Sequence, residues 1–223
     1  MSTVLIIGAT RGLGLEFARQ YVAAGDRVLA TARDAAGRAR LQALGVESVL
    51  TVDVADPASV SGLSWMLDGE KIDIALYVAG AMEGGDALSP PTQQQFDRVM
   101  HTNVLGAMQA LVQVAPLVEA AQGRFAFISS SLGRIGEVQS SHTWLYRVSK
   151  AALNMAVASA QHDYPQATLV ALNPGWVQTD MGGDQAPLTA PESVAAMRAT
   201  LARLTPAQRG QFLERDGSPF ASW

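Results

Sequence analysis

Thr3-Val-Leu-Ile-Ile7-Gly8-Ala-Thr-Arg-Gly12-Leu-Gly14 is the stretch on which the fold turns. Thr3 to Ile7 is an unbroken apolar run rich in β-branched residues, the pattern of a strand buried on both faces in a parallel sheet. Glycines then punctuate a tight turn, and Leu13 to Ala24 follows with the periodicity of an amphipathic helix closed by Gly25. Strand, glycine turn and helix in that order leave free backbone N–H groups at the positive end of a helix dipole, which favours a phosphate. Glycine there also lets a diphosphate approach the main chain. The same residues can serve a purely structural corner, and the spacing alone does not separate the two.

Outward from this unit the alternation continues. Arg27 to Thr31 reads as a strand, Ala35 to Leu44 as a helix, Ser48 to Val52 as a strand, Ala58 to Leu67 as a helix and Ile72 to Val78 as a strand. A long helix is predicted around Gln93 to Ala121, then strand Arg124 to Ser129, helix Trp144 to Asp163 and strand Thr168 to Leu172. Beyond Pro174 the pattern weakens to one helix, Pro191 to Leu204, and a short strand within Gln211 to Trp223. Such alternation predicts an α/β fold, a doubly wound parallel sheet of the Rossmann kind covered on both faces. No repeat or linker divides the chain, so it reads as a single domain.

The 223 residues are 48% hydrophobic and 16% charged, and a chain of this size buries about 70% of its unfolded surface. Cys is absent, which excludes disulfides and thiolate metal sites. The 16 basic and 20 acidic residues give a net charge of −4. With no run of Lys or Arg, nucleic acid is not the expected partner. No stretch approaches the roughly 20 apolar residues of a membrane span, and the apolar run before Gly8 is too short for a signal-peptide core. A soluble, cytoplasmic protein is expected.

Charge at the end of the second strand bears on which dinucleotide would sit at the glycine turn. A free 2′-hydroxyl is usually met by an acidic residue there, whereas a 2′-phosphate needs a cation. Here the strand ends Thr31-Ala32-Arg33-Asp34, with Arg11 in the glycine turn. An arginine-to-phosphate contact is worth roughly 1.5–3 kcal/mol, so NADP(H) is favoured over NAD(H). Alternatively, Arg33 and Asp34 only finish a solvated turn. Asp53 could accept from an adenine amino group or belong to a helix cap with Asp56 ahead of Pro57.

Tyr146-Arg-Val-Ser-Lys150 places a phenol and an ammonium four residues apart, hence on one helix face. An unperturbed Tyr has a pKa near 10, and an ammonium at about 5 Å contributes roughly 3 kcal/mol at an effective dielectric of 20. The expectation is a phenol with a lowered pKa, tuned for acid–base work.

Gly8-x3-Gly12-x-Gly14, Asn103, the serines after Phe125 to Ile128, Tyr146-x3-Lys150 and Asn173-Pro174-Gly175 together resemble the short-chain dehydrogenases/reductases over essentially the whole chain. Trp144 to Asn154, Asn173 to Gly182 and the ending Gly-Gln-Phe-Leu-Glu-Arg-Asp-Gly resemble the branch of C-factor and sniffer-type carbonyl reductases. The resemblance implies reduction of a ketone or aldehyde, a small-molecule carbonyl substrate, with residues 1–90 mainly binding NADP(H) and 91–223 carrying catalysis and substrate. It implies that Tyr146 donates the proton, Lys150 holds the nicotinamide ribose, Ser130 polarises the carbonyl, and Asn103 interrupts its helix and holds a water. For the cofactor it implies Gly8, Thr10, Arg11, Gly12, Leu13 and Gly14 of the turn, then Arg33, Asp53 and Val54. Backbone of Ala79 and Gly80 would join them, as would Asn103, Tyr146, Lys150, Pro174, Gly175, Val177 and Thr179. The rival is a non-enzyme that binds NADP(H) and uses occupancy to signal.

Three features depart from the family. Tyr77-Val78-Ala79-Gly80 replaces Asn-Asn-Ala-Gly, which puts side-chain support of the central sheet in question. The Ser130-to-Tyr146 interval is about three residues longer than usual; alignment on Gly133 selects Ser130, with Ser129 second. Ile7 replaces the usual Thr before the first glycine, which removes a hydrogen bond. Trp144, Trp176, Met82, Leu145 and Met181 could line an apolar pocket or serve as core or lid packing. Gly182 to Pro191 reads as a mobile lid. Ala151 to Ala160, small and apolar nearly all round, suggests a helix covered on both sides, in the family often a homodimer interface.

Overall fold

The computed structural model describes residues 1–223. Seven strands form one parallel sheet: β1 Thr3–Ile7, β2 Arg27–Ala32, β3 Ser48–Thr51, β4 Ile74–Tyr77, β5 Arg124–Ile128, β6 Thr168–Asn173 and β7 Phe212–Glu214. Their order is β3-β2-β1-β4-β5-β6-β7. The chain winds outward from β1 in one direction and then, from β4, in the other, the doubly wound arrangement the alternation predicts. The reversal lies between β1 and β4, where a crevice opens at the strands' carboxyl ends.

Period-two alternation sends the residues of each strand to two cores. Leu5, Ile7, Ala75, Tyr77, Phe125 and Phe127 face one layer, with helices α6 (Gly106–Ala120) and α7 (Trp144–Ala160). Val4, Ile6, Leu76, Ala126 and Leu172 face the other, with α1 (Gly12–Ala23) and α8 (Ala190–Arg203). The flanking α2 (Ala35–Ala43) covers the β2–β3 edge.

Two expected helices are interrupted. The Ala58-to-Leu67 helix divides at Gly62 into α3 (Pro57–Ser61) and α4 (Leu63–Met66). The long helix divides into α5 (Gln93–Met100), a π turn over His101–Leu105 and α6. In the π turn the Gly106 N–H bonds the His101 carbonyl, and Asn103 lies at its centre, as the resemblance implies. Helix α7 stops at Ala160 and Gln161–Asp163 finishes it as a 3-10 turn.

The hydrogen bond questioned at Ile7 is replaced from β2, where the Thr31 hydroxyl accepts from the Gly8 N–H at 3.0 Å. At Tyr77-Val78 the sheet is held by backbone, Val78 and Ala79 both donating to the Ile7 carbonyl at 2.8 and 3.1 Å. The segment read as a lid is a hydrogen-bonded return. Gln178 N–H donates to the Leu188 carbonyl at 2.8 Å, and the Trp176 indole donates to the Gly182 carbonyl at 2.8 Å.

Candidate active site

The glycine turn is shaped by close approach. A Cβ on Gly14 would lie 2.1 Å from the Gly8 carbonyl oxygen, and one on Gly8, whose φ is +89°, would lie 2.6 Å from the Ala79 nitrogen. No side chain fits at either position, so β1, α1 and the end of β4 converge on a backbone cradle. Thr10 is held by α2, whose Arg40 donates to the Thr10 carbonyl at 2.5 Å. Leu13 packs on the α1-side core, and Thr179 stands over Gly12, its methyl 3.5 Å from where a Cβ would be.

At the end of β2 the two readings of Arg33-Asp34 separate. Asp34 Oδ1 accepts from the Gly37 N–H at 2.7 Å and caps α2. Arg33 is exposed and belongs to none of the ion pairs. Arg11, expected to help at that point, instead pairs with Asp180 at 3.3 Å, both side chains exposed; an exposed pair of this kind is worth about 0–1 kcal/mol. Asp53 Oδ1 accepts from the Ala55 N–H at 3.0 Å, while Asp56 caps α3 through the Ala58 N–H. Val54 is 7% exposed and its carbonyl faces Gly106.

Tyr146 and Lys150 occupy the first turns of α7 and point into the crevice beyond β4 and β5. Lys150 Nζ donates to the Ile128 carbonyl at 2.7 Å and lies 5.5 Å from the centre of the Tyr146 ring. Ser130 follows β5; its hydroxyl accepts from the Leu132 N–H at 3.2 Å and lies near enough to the Tyr146 phenol to favour ionisation. Ser129 is engaged elsewhere, donating to Asn154 Oδ1 at 2.5 Å in the core. A Cβ on Gly133 would lie 2.9 Å from the Lys150 carbonyl carbon, so the serine loop packs directly on α7. The longer interval is taken up by 3-10 turns at Ser131–Gly133 and Ile135–Glu137, which bond the carboxyl-terminal segment through Trp223.

One expectation about this set is corrected. The Tyr146 pKa is not lowered: burial raises it to about 12, and the nearby Ser130 hydroxyl only partly opposes this. Lys150, buried like the phenol, is itself pushed down to about 8. The Asn103 side chain is held by protein groups. Oδ1 accepts from the Ala81 N–H at 2.7 Å, while Nδ2 donates to the Ala81 carbonyl at 2.8 Å and Ser149 Oγ at 2.9 Å. A water would therefore be met by groups other than the amide hydrogens. Gly80 lies between Asn103 and Lys150: a Cβ there would be 3.6 Å from Asn103 Oδ1 and 3.9 Å from Lys150 Nζ.

Residues not foreseen include Ser149, which accepts from Asn103 and donates to the Tyr146 carbonyl at 2.7 Å. Thr143 precedes α7 with φ +56°, in the left-handed region that β-branched residues rarely enter. Its N–H donates to the Gly85 carbonyl at 2.8 Å. Of the suggested pocket residues, Leu145 is core, Trp144 and Met82 are half-buried, and Trp176 and Met181 are exposed. Pro174, Gly175 and Val177 lie just beyond β6, with Gly175 at φ +79° against Leu188.

A crevice at the switch point of a doubly wound sheet, with Ser, Tyr and Lys converging beside a glycine cradle, defines a dinucleotide-fold oxidoreductase site. The family model for short chain dehydrogenases matches residues 2–188, and the chain belongs to that family. It is 31% identical over 231 residues to the 1-hydroxy-2-glutathionyl-2-methyl-3-butene dehydrogenase of Rhodococcus sp. (strain AD45), covering 100% of both chains. Among solved structures it resembles the carbonyl reductase Sniffer of D. melanogaster, with a TM-score of 0.90, 28% identity and 100% coverage of both chains. It likewise resembles NADPH-bound carbonyl reductase from chicken fatty liver, with a TM-score of 0.89, 28% identity and coverage of 100% and 99%.

Proposed function

We propose that this chain is an NADP(H)-dependent carbonyl reductase, converting a ketone or aldehyde to an alcohol. The observation that carries the reading is the convergence of Ser130, Tyr146 and Lys150, groups able to bind and protonate an oxygen. Their placement beside Gly80 and the Gly8–Gly14 turn supports a dinucleotide as second reactant.

The residues fit such a cofactor. The glycine turn, Thr10 and Leu13 would take the diphosphate at the α1 N-terminus. Arg33, exposed and outside the ion pairs, would meet a 2′-phosphate, and Asp34, engaged as a cap, does not oppose it. Asp53 and Val54 would border the adenine, and Ala79 and Gly80 would offer backbone. Lys150 would hold the nicotinamide ribose, and Pro174, Gly175, Val177 and Thr179 would flank the nicotinamide end. When bound, the cofactor supplies the hydride.

The chain's own part is proton delivery and orientation. At pH 7 a phenol with a pKa near 12 remains protonated, and ionising it costs about 7 kcal/mol. Tyr146 Oη is thus a stored donor, suited to reduction. Ser130 Oγ would donate a second hydrogen bond to the carbonyl oxygen and hold it beside Tyr146. The NADPH-bound state of the chicken relative supports the cofactor assignment. Apolar side chains exposed along α5, α6 and α7 support assembly as a homodimer.

The test is NADPH oxidation, followed by absorbance, with aromatic aldehydes, α-diketones and quinones. Wild-type turnover that falls at least about a hundredfold in Tyr146→Phe, with NADPH affinity retained, is the expected result. No wild-type turnover across the panel overturns the reading.

A further inference from the structure

Tyr77 stands where the family carries asparagine, fully buried at the end of β4, and no step above uses it. Its ring lies against Phe127, with centroids 5.9 Å apart, and its hydroxyl donates to the Thr102 carbonyl at 2.6 Å. Thr102 belongs to the π turn and immediately precedes Asn103. The Asn103 amide bridges Ala81, next to Gly80, and Ser149, between Tyr146 and Lys150; Ser149 then bonds the Tyr146 carbonyl. Hydrogen bonds on either side of the Thr102–Asn103 peptide thus connect the phenol of Tyr77 to the first turn of α7.

The space around that phenol is closed. A Cβ on Gly106 would lie 2.3 Å from the Val54 carbonyl oxygen, 2.9 Å from the Tyr77 hydroxyl and 3.0 Å from the His101 carbonyl oxygen. The turn after β3, the end of β4 and the π turn therefore meet at one hydroxyl. Burial, and secondarily the Asp53 carboxylate, hold that hydroxyl in its protonated form, the form that donates. A shorter asparagine side chain from the same backbone position would not span the distance the tyrosine ring spans.

We propose that Tyr77 is a positioning residue: its hydroxyl fixes the Thr102 carbonyl, and so sets the register of the π turn that aims Asn103 at Ala81 and Ser149. Its kinetic consequence rests on the reductase reading; its structural consequence does not. A helix widened to π geometry is a local departure that neighbouring groups must hold, and Tyr77 supplies the contact from the sheet.

Tyr77→Phe keeps the ring and removes only the donor. Amide hydrogen exchange on the full chain without cofactor is expected to quicken about tenfold at Ala81 and across residues 102–106, the loss of one hydrogen bond. Exchange in β1 and β6 should be unchanged. With NADPH and a reducible carbonyl, kcat should fall by a similar factor at unchanged carbonyl KM. Uniform acceleration over the whole chain, or none at the π turn, overturns the proposal. An active wild type with unaltered kcat in Tyr77→Phe overturns its kinetic part and leaves the reductase reading standing. An inactive wild type overturns that reading, while the exchange pattern still decides the role of Tyr77. If the variant does not fold, NMR of the wild type decides: a slowly exchanging Tyr77 hydroxyl proton close to the Asn103 amide is expected, and its absence overturns the proposal.

Discussion

Lys150 has a cost built into its position. The residue is 3% exposed, its Nζ bonds one carbonyl, and burial alone brings its pKa from 10.5 to about 8. For a cation this lowering means that the fold disfavours the charged form. The penalty is fully present below pH 8, shrinks between pH 8 and 10.5 and is absent above. Its upper bound at pH 7 is about 3 kcal/mol. Lys150→Met is therefore expected to raise the Tm of the ligand-free protein at pH 7 by a few degrees, to lose that gain by pH 10.5, and to lose turnover. Thermal denaturation across pH checks this, and an equal or lower Tm at pH 7 refutes it. Tyr146, Lys150 and Ser130 were legible because their signal is local spacing and order along the chain. The depth of their burial was not, and burial reversed the expected direction of the phenol's pKa. Nor was the division of labour between Ser129 and Ser130, which depends on Asn154, 25 residues away.

At the scale of elements, α2 governs the cofactor question more than the sequence suggested. Asp34 caps it, Gly37 lets it lie against Thr10, and Arg40 reaches the Thr10 carbonyl. A cap and a ribose-binding acid make opposite predictions for one side chain. Asp34→Ala should lower stability by about 1 kcal/mol and leave the ratio of NADPH to NADH affinity unchanged. Arg33→Ala should weaken NADPH about ten- to a hundredfold and NADH little. Fluorescence titration of both variants with both nucleotides checks the pair; equal weakening of the two nucleotides by Arg33→Ala defeats the phosphate assignment. Strands were read nearly to the residue because buried parallel strands are continuous apolar runs, as in Thr3–Ile7. The π turn was legible only through its Asn103: His101–Leu105 has helical periodicity, and the sheet contact to it comes from Tyr77, distant in sequence.

For the whole molecule, the sheet's two cores account for most of the apolar side chains, and no helix is long and apolar enough to cross a membrane. Part of the remainder gathers on adjoining helices. Leu105, Met108 and Val112 fall on one face of the π turn and α6, with Val112 61% exposed. Val148 and Met155 share a face of α7, with Met155 67% exposed, and α7 packs against α5 and the π turn. The helix expected to be covered on both sides is covered on one, by Leu153 and Val157, and open on the other. An apolar surface built from adjoining helices suits a second copy meeting it across a two-fold axis, since the same patch then covers itself. A stable interface of this kind removes about 1,200–2,000 Å² from water. Sedimentation equilibrium at micromolar concentration should give twice the 23.5 kDa chain mass. Val112→Glu combined with Met155→Glu places unpaired carboxylates in that patch and should return the protein to the single-chain mass. The site lies on the sheet side of these helices, so NADPH affinity should survive the double substitution. A wild type that sediments at the single-chain mass removes the homodimer.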